Sequence, residues 1–199
     1  MQLTRLIPLC AVVMCLLVSC AVPTKSRVEA DANAYSAVAA TKPDFKPSRG
    51  DTVAWYGPPI WADADLRASN QILSVQIQDA VSQQLISRGF KIVDDEAMAK
   101  YVIGLGVITK GGERSDELSS FFMVFPQLRS SAAGFDKGTI VAGIVHAKNV
   151  KASAVAPNSK EVLWRAGIEA FILGTKLDSV QRLKRVESLA SALTASIRL

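Results

Sequence analysis

Histidine occurs once in the 199 residues, at His146, and that scarcity removes whole classes of chemistry. A metal site built on two histidines cannot form within one chain, and a Ser-His-Asp triad would have to use this one residue. No Gly-x-Ser-x-Gly segment is present to raise a serine nucleophile. Aromatic residues make up 7% of the chain and no run of five basic residues occurs. The stacking platform and charged groove of a nucleic-acid binder are therefore missing. The longest apolar run, Leu6 to Val18, is roughly 13 residues against the 20 or so of a membrane-spanning helix, so a permanent transmembrane anchor is not expected. Cysteine is equally sparse: of three, Cys10 and Cys15 lie inside that run and Cys20 just beyond it.

What is present at the N-terminus is a basic residue, Arg5, then the apolar run, then small residues before a cysteine, the pattern of a secretory signal. Leu17-Val18-Ser19-Cys20 also resembles the lipobox of bacterial lipoproteins. That resemblance implies cleavage between Ser19 and Cys20, diacylglycerol on the Cys20 sulfur and an acyl chain such as palmitate on its amine. Each buried CH₂ of such chains contributes about 0.8 kcal/mol, and more than one chain is needed for stable anchoring. Cys10 and Cys15 would leave with the leader, so a disulfide within the mature chain is excluded although the compartment is oxidising. An ordinary signal peptide with an incidental cysteine is the competing reading. In a cell with two membranes, Ala21 after the lipidated cysteine implies sorting to the outer membrane, with the protein facing the periplasm.

Without residues 1–19 the chain has 180 of its 199 residues, enough for one domain with a proper core. Losing Arg5 leaves 22 Lys+Arg against 18 acids, a mild excess suited to an anionic membrane surface. Residues 20–50 are rich in small and polar residues and read as a flexible tether, with mild alternation at 35–39 that would suit an edge strand. The globular domain is expected over 51–199. Thr52 to Tyr56 reads as a strand stopped by Gly57-Pro58-Pro59. A helix is expected from about Leu66 to Arg88, with Leu73, Ile77, Val81 and Leu85 at i+4 and Gly89 closing it.

Lys91 to Val93 reads as a short strand, and Tyr101 to Ile108 as a central strand apolar on both faces except at its glycines. Thr139 to Val150 repeats the period of two, and Asn149 to Val155 with Glu161 to Leu173 reads as a hairpin whose return strand is half buried. A last helix spans about Asp178 to Arg198, with Val180, Leu183, Val186, Leu189 and Leu193 as its apolar stripe and Arg182, Lys184, Arg185 and Glu187 away from it. This order predicts an α+β fold: one domain, a largely antiparallel sheet, and two amphipathic helices packed on one face.

Several of these pieces, in this order, resemble the bacterial envelope lipoproteins that carry the domain of unknown function DUF4136. They are the lipobox, Asp44-Phe45 before Thr52-Val53-Ala54-Trp55, and Leu85-x-x-x-Gly89-Phe90 at the end of the first helix. Ala99-Lys100-Tyr101-Val102-Ile103, Gly138-Thr139-Ile140 and Val162-Leu163-Trp164-Arg165-Ala166 follow before the last helix. The resemblance covers roughly residues 35–197. It implies an envelope location and a compact α/β domain, and it carries over no catalytic residue.

Candidate sites are few, and no catalytic, cofactor or metal residue is expected. His146 reads as a structural or surface residue, Asp94-Asp95-Glu96 as a solvated turn without a second acidic set, and Gly104-x-Gly106 and Gly111-Gly112 lack the following helix of a phosphate loop. Arg182, Lys184 and Arg185 read as a solvated helix face, with lipid head groups as the functional alternative. Phe121, Phe122, Met123 and Phe125 form the densest apolar patch of the loop 111–137. It either forms another strand or packs beneath the sheet, or it is an exposed surface for a partner. The function expected is a non-enzymatic, lipid-anchored envelope protein that binds or scaffolds another envelope component. A carrier of a small apolar ligand or lipid is the alternative. A hydrolase would need Glu169 paired with an acid brought to it by the fold.

Overall fold

The computed structural model describes residues 35–62, 70–108, 116–125, 127–128, 138–151, 162–170 and 178–199. Seven strands among them form one sheet: β1 (Tyr35–Thr41), β2 (Thr52–Trp55), β3 (Ile60–Trp61), β4 (Lys91–Ile92), β5 (Tyr101–Ile108), β6 (Thr139–His146) and β7 (Trp164–Ala170). Four helices accompany them: α1 (Gln71–Ser87), α2 (Asp116–Val124), α3 (Ala147–Lys151) and α4 (Ser179–Thr194). The fold is α+β.

The sheet order is β1-β7-β6-β5-β2-β4, with β3 also against β5. β1, β7, β6 and β5 each run antiparallel to the next, and Tyr101 to Ile108 of β5 lie opposite His146 to Thr139 of β6. β2 runs parallel to β4 and to β5, and β3 parallel to β5, so the sheet is mixed, while its long ladders are antiparallel as expected. The reason is the crossover: a parallel neighbour requires a long return path, and α1 supplies it between β2 and β4. The 3₁₀ turn Glu96–Met98, capped by the Asp95 carboxylate on the Ala97 N–H (2.7 Å), then leads into β5 on the other side of β2.

α1 buries Leu73, Ile77, Val81 and Leu85, the expected stripe. It ends in a Schellman arrangement: Gly89 at φ 96° donates to the Ile86 carbonyl (2.8 Å), and buried Phe90 donates to that of Leu85 (3.1 Å). α1 and α4 cover one face of the sheet over Ile103, Leu105, Val107, Ile140, Ile144, Trp164 and Ile168. All three tryptophans fasten this layer, since Trp55 donates to Ser82 (3.0 Å), Trp61 to Ser74 (2.7 Å) and Trp164 to Ser196 (2.8 Å).

The opposite face has its own core, made by Val102, Val141, Val145 and Val162 of the strands and their ends with Leu118, Phe121, Phe125 and Leu128. Two helices on one face are thus present, but α2 and α3 furnish the other. β6 stops at His146 rather than continuing to Val150, because Ala147-Lys148-Asn149-Val150-Lys151 coils into α3 with Ala147 and Val150 turned to the second core. Of the hairpin expected there, the described residues show the return strand, β7, which is largely buried, with Arg165 and Glu169 at its less buried positions. The intervening residues 152–161 and residues 63–69, the expected start of the first helix, lie outside the described residues.

α4 corrects two expectations. Its stripe begins only at Val186, Val180 and Leu183 being 61% and 42% exposed. Arg185, expected in solvent, is 7% exposed. It lies one helical turn before buried Leu189, and α4 packs on β1 as well as β7, which turns that flank inward.

Candidate functional site

The phenylalanine patch is interior. The segment is a helix, so Phe121, Phe122 and Phe125 share one side and are all buried, while Met123 points away and is 53% exposed. The partner surface weighed for these residues reduces to Met123 alone. The seat for the rings is cut by glycines. Gly104 and Gly143 are opposite each other on β5 and β6, and a Cβ on Gly104 would overlap the rings of Phe125 and Phe121. One on Gly143 would lie 2.9 Å from Phe125 Cδ1. Phe121 and Phe125 meet at 4.9 Å between centroids, and Tyr56 closes edge-on to Phe125 at 5.7 Å. Two glycines in register opposite a Phe-rich helix are the signal that a reading of each segment alone passes over.

At one end of the sheet the starts of β2 and β5 bring a set of polar side chains together. Lys100 Nζ pairs with Asp51 Oδ2 at 2.7 Å and stands 5.1 Å from the centroid of the Tyr101 ring. The same carboxylate oxygen accepts the Ser48 N–H (2.8 Å). Thr52 Oγ1 accepts the Lys100 N–H (2.9 Å) and donates to the Met98 carbonyl (3.1 Å). His146, opposite Tyr101 in register, stacks on its ring at 5.3 Å and 24°, and Phe45 meets that ring edge-on at 5.4 Å.

Burial would raise the Asp51 carboxyl, but the hydrogen bonds from Lys100 and Ser48 outweigh it and hold it below 3.8. The hydrogen bond to Asp51 raises Lys100 above 10.5. Each partner is pushed away from neutrality, the reverse of what a general acid or base working near pH 7 requires. The cluster is a clamp joining β2 to β5, with His146 as a packing partner.

Other candidates are as modest. Asp95 caps its turn, and among the described residues no three His, Cys, Asp or Glu side chains are placed to share a metal ion. Between α1, α4 and β6 lies an apolar crevice lined by Ile77, Val81, Ile140, Val186, Leu189 and Leu193 with about 10 Å³ of accessible space, about enough for one water. Small-molecule sites run to several hundred Å³. Arg182 and Lys184 are exposed while Arg185 is not. No helix among the described residues is long and apolar enough to cross a membrane. Ser19 and Cys20 lie outside the described residues.

Exposed apolar residues such as Ile72, Met98 and Val180 are scattered over other elements, whereas in β1 a whole strand faces outward. All seven residues of Tyr35–Thr41 are exposed, with Val38 at 56%, and none is charged or proline. Among the described residues it ends the sheet, with β7 as its one strand neighbour.

No protein-family model and no curated protein matches this chain. Among solved structures, a DUF4136 family protein from Bacteroides thetaiotaomicron is similar at 11% identity and a TM-score of 0.48, over 81% of this chain and 95% of that one. A PelC dodecamer from Paraburkholderia phytofirmans is similar at 15% identity and a TM-score of 0.42, over 79% and 98%.

Proposed function

We propose that this chain is a lipid-anchored, non-enzymatic lipoprotein of the bacterial envelope, held by acyl chains on Cys20 at the outer membrane, whose α+β domain binds or scaffolds another envelope component. The observation that carries the reading is the leader itself: Arg5, the apolar Leu6–Val18 and Ser19 before Cys20, with the other two cysteines inside the leader. An exported thiol with no partner in the mature chain has a use as an attachment point. The polar pair Asp51–Lys100, tuned away from neutrality, supports a role without acid-base chemistry.

The test is metabolic labelling with an alkyne analogue of palmitate, followed by membrane fractionation. Wild type is expected to take up label and sediment with membranes. Cys20→Ala is expected to take up none and to leave the membrane fraction. Label retained in Cys20→Ala overturns the anchor. Crosslinking in intact cells, with Cys20→Ala as control, then identifies the component bound.

A further inference from the structure

We propose that β1 is a pairing edge for a second copy of this chain, whose own β1 adds antiparallel about a two-fold axis at Val38. The inference goes beyond the reading above and does not depend on the lipid anchor.

The hydrogen-bonding phase of β1 comes first. Lys42 donates to the Leu163 carbonyl across the antiparallel β1/β7 pair (2.8 Å), and the register continues from Thr41↔Trp164 to Tyr35↔Ala170. Backbone groups alternate in direction along a strand, so Ala40, Val38 and Ser36 also face β7. The N–H and C=O groups of Tyr35, Ala37, Ala39 and Thr41 therefore face outward, and no strand among the described residues lies beyond them. Antiparallel pairing centred on Val38 sets Ala37 opposite the second copy's Ala39 and Tyr35 opposite its Thr41. All four outward residues then sit at hydrogen-bonded positions, for about eight bonds across the edge.

The side chains suit the same register. Val38 meets Val38, Ser36 meets Ala40, and the small residues raise no obstacle to close approach. Charge fits too. Glu169 lies beside Ser36 and Arg165 beside Ala40, on the same face. The two-fold axis places Glu169 of one copy in the row of Arg165 of the other, about 14 Å apart across three strand spacings. Both rows carry opposite charges, so the pairing is free of like-charge rows.

The edge also lacks the devices that blunt edges: there is no lysine, no proline and no inward charge in Tyr35–Thr41. The opposite edge, β4, is two residues long and carries Lys91. Strand addition alone falls at the small end of specific interfaces, so the dimer is expected to form above micromolar concentrations.

The test uses the full chain, purified in detergent and mildly oxidised. Val38 would occupy a non-hydrogen-bonded pair, where Cα atoms about 4.5 Å apart accept a disulfide. Val38→Cys is expected to give a reducible dimer in several-fold excess over wild type, whose own cysteines set the background. Ser36→Cys and Ala40→Cys are each expected to stay at background alone and to crosslink when mixed. In sedimentation, wild type is expected as a dimer at high concentration and Val38→Lys as a monomer with an unchanged melting temperature. Crosslinking of Val38→Cys at background, Ser36→Cys dimers as abundant as the mixed pair, or an assembly larger than two copies each overturns the proposal.

Discussion

Gly104 and Gly143 show how a single missing methyl organises a layer. They lie face to face on the two most buried strands, and the Phe121 and Phe125 rings occupy the space their side chains would have taken. Gly104→Ala is expected to destabilise the domain by about 2–3 kcal/mol through overpacking, read as a lower denaturant midpoint at unchanged slope. The Asp51–Lys100 pair offers a gentler case. Asp51 titrates below its ordinary value in the fold, so its contribution is present above pH about 4 and lost as pH falls through the folded value. Lys100 is raised, so its contribution is present below about 10.5 and lost as pH rises through its folded value. With Lys100 45% exposed, Asp51→Asn is expected to cost under about 1 kcal/mol. Denaturation across pH should show that gap constant through neutrality and closing at both extremes.

Among the elements, α1 was legible in detail. Its i+4 stripe, its closing glycine and the folded-back Phe90 all lie within a few residues of one another, where local period and backbone freedom decide the outcome. α2 was not. Phe121 to Phe125 reads as another strand, as a segment packed beneath the sheet or as an exposed surface, and the room for its rings comes from Gly104 and Gly143, far off in sequence. The serine anchors of the tryptophans are likewise invisible before folding. Ser74→Ala would leave the buried Trp61 N–H without its acceptor, and an expected loss of about 1–2 kcal/mol in equilibrium unfolding checks it. At the start of α4, Asp178 accepts the Gln181 N–H (2.8 Å) while the Gln181 side chain accepts from Asp178 N–H (3.2 Å). Asp178→Ala should cost about 1 kcal/mol by the same measurement.

For the whole molecule, the sheet divides by distance along the chain. Strand periods marked β5 as central because its residues are apolar on both sides, and it is indeed buried on both. Hydrophobic period alone determined the class of each long element and the α+β composition, since burial on a sheet or helix imposes that period wherever the element lies. The N-terminal leader is chemistry carried by a contiguous stretch, so the expectation for Cys20 needs no fold to be stated. Tertiary structure alone decided the parallel placement of β2, β3 and β4, the burial of Arg185 and the enclosure of the phenylalanine patch. Each depends on pairing between segments tens of residues apart, and a local pattern holds no information about which distant surface will cover it.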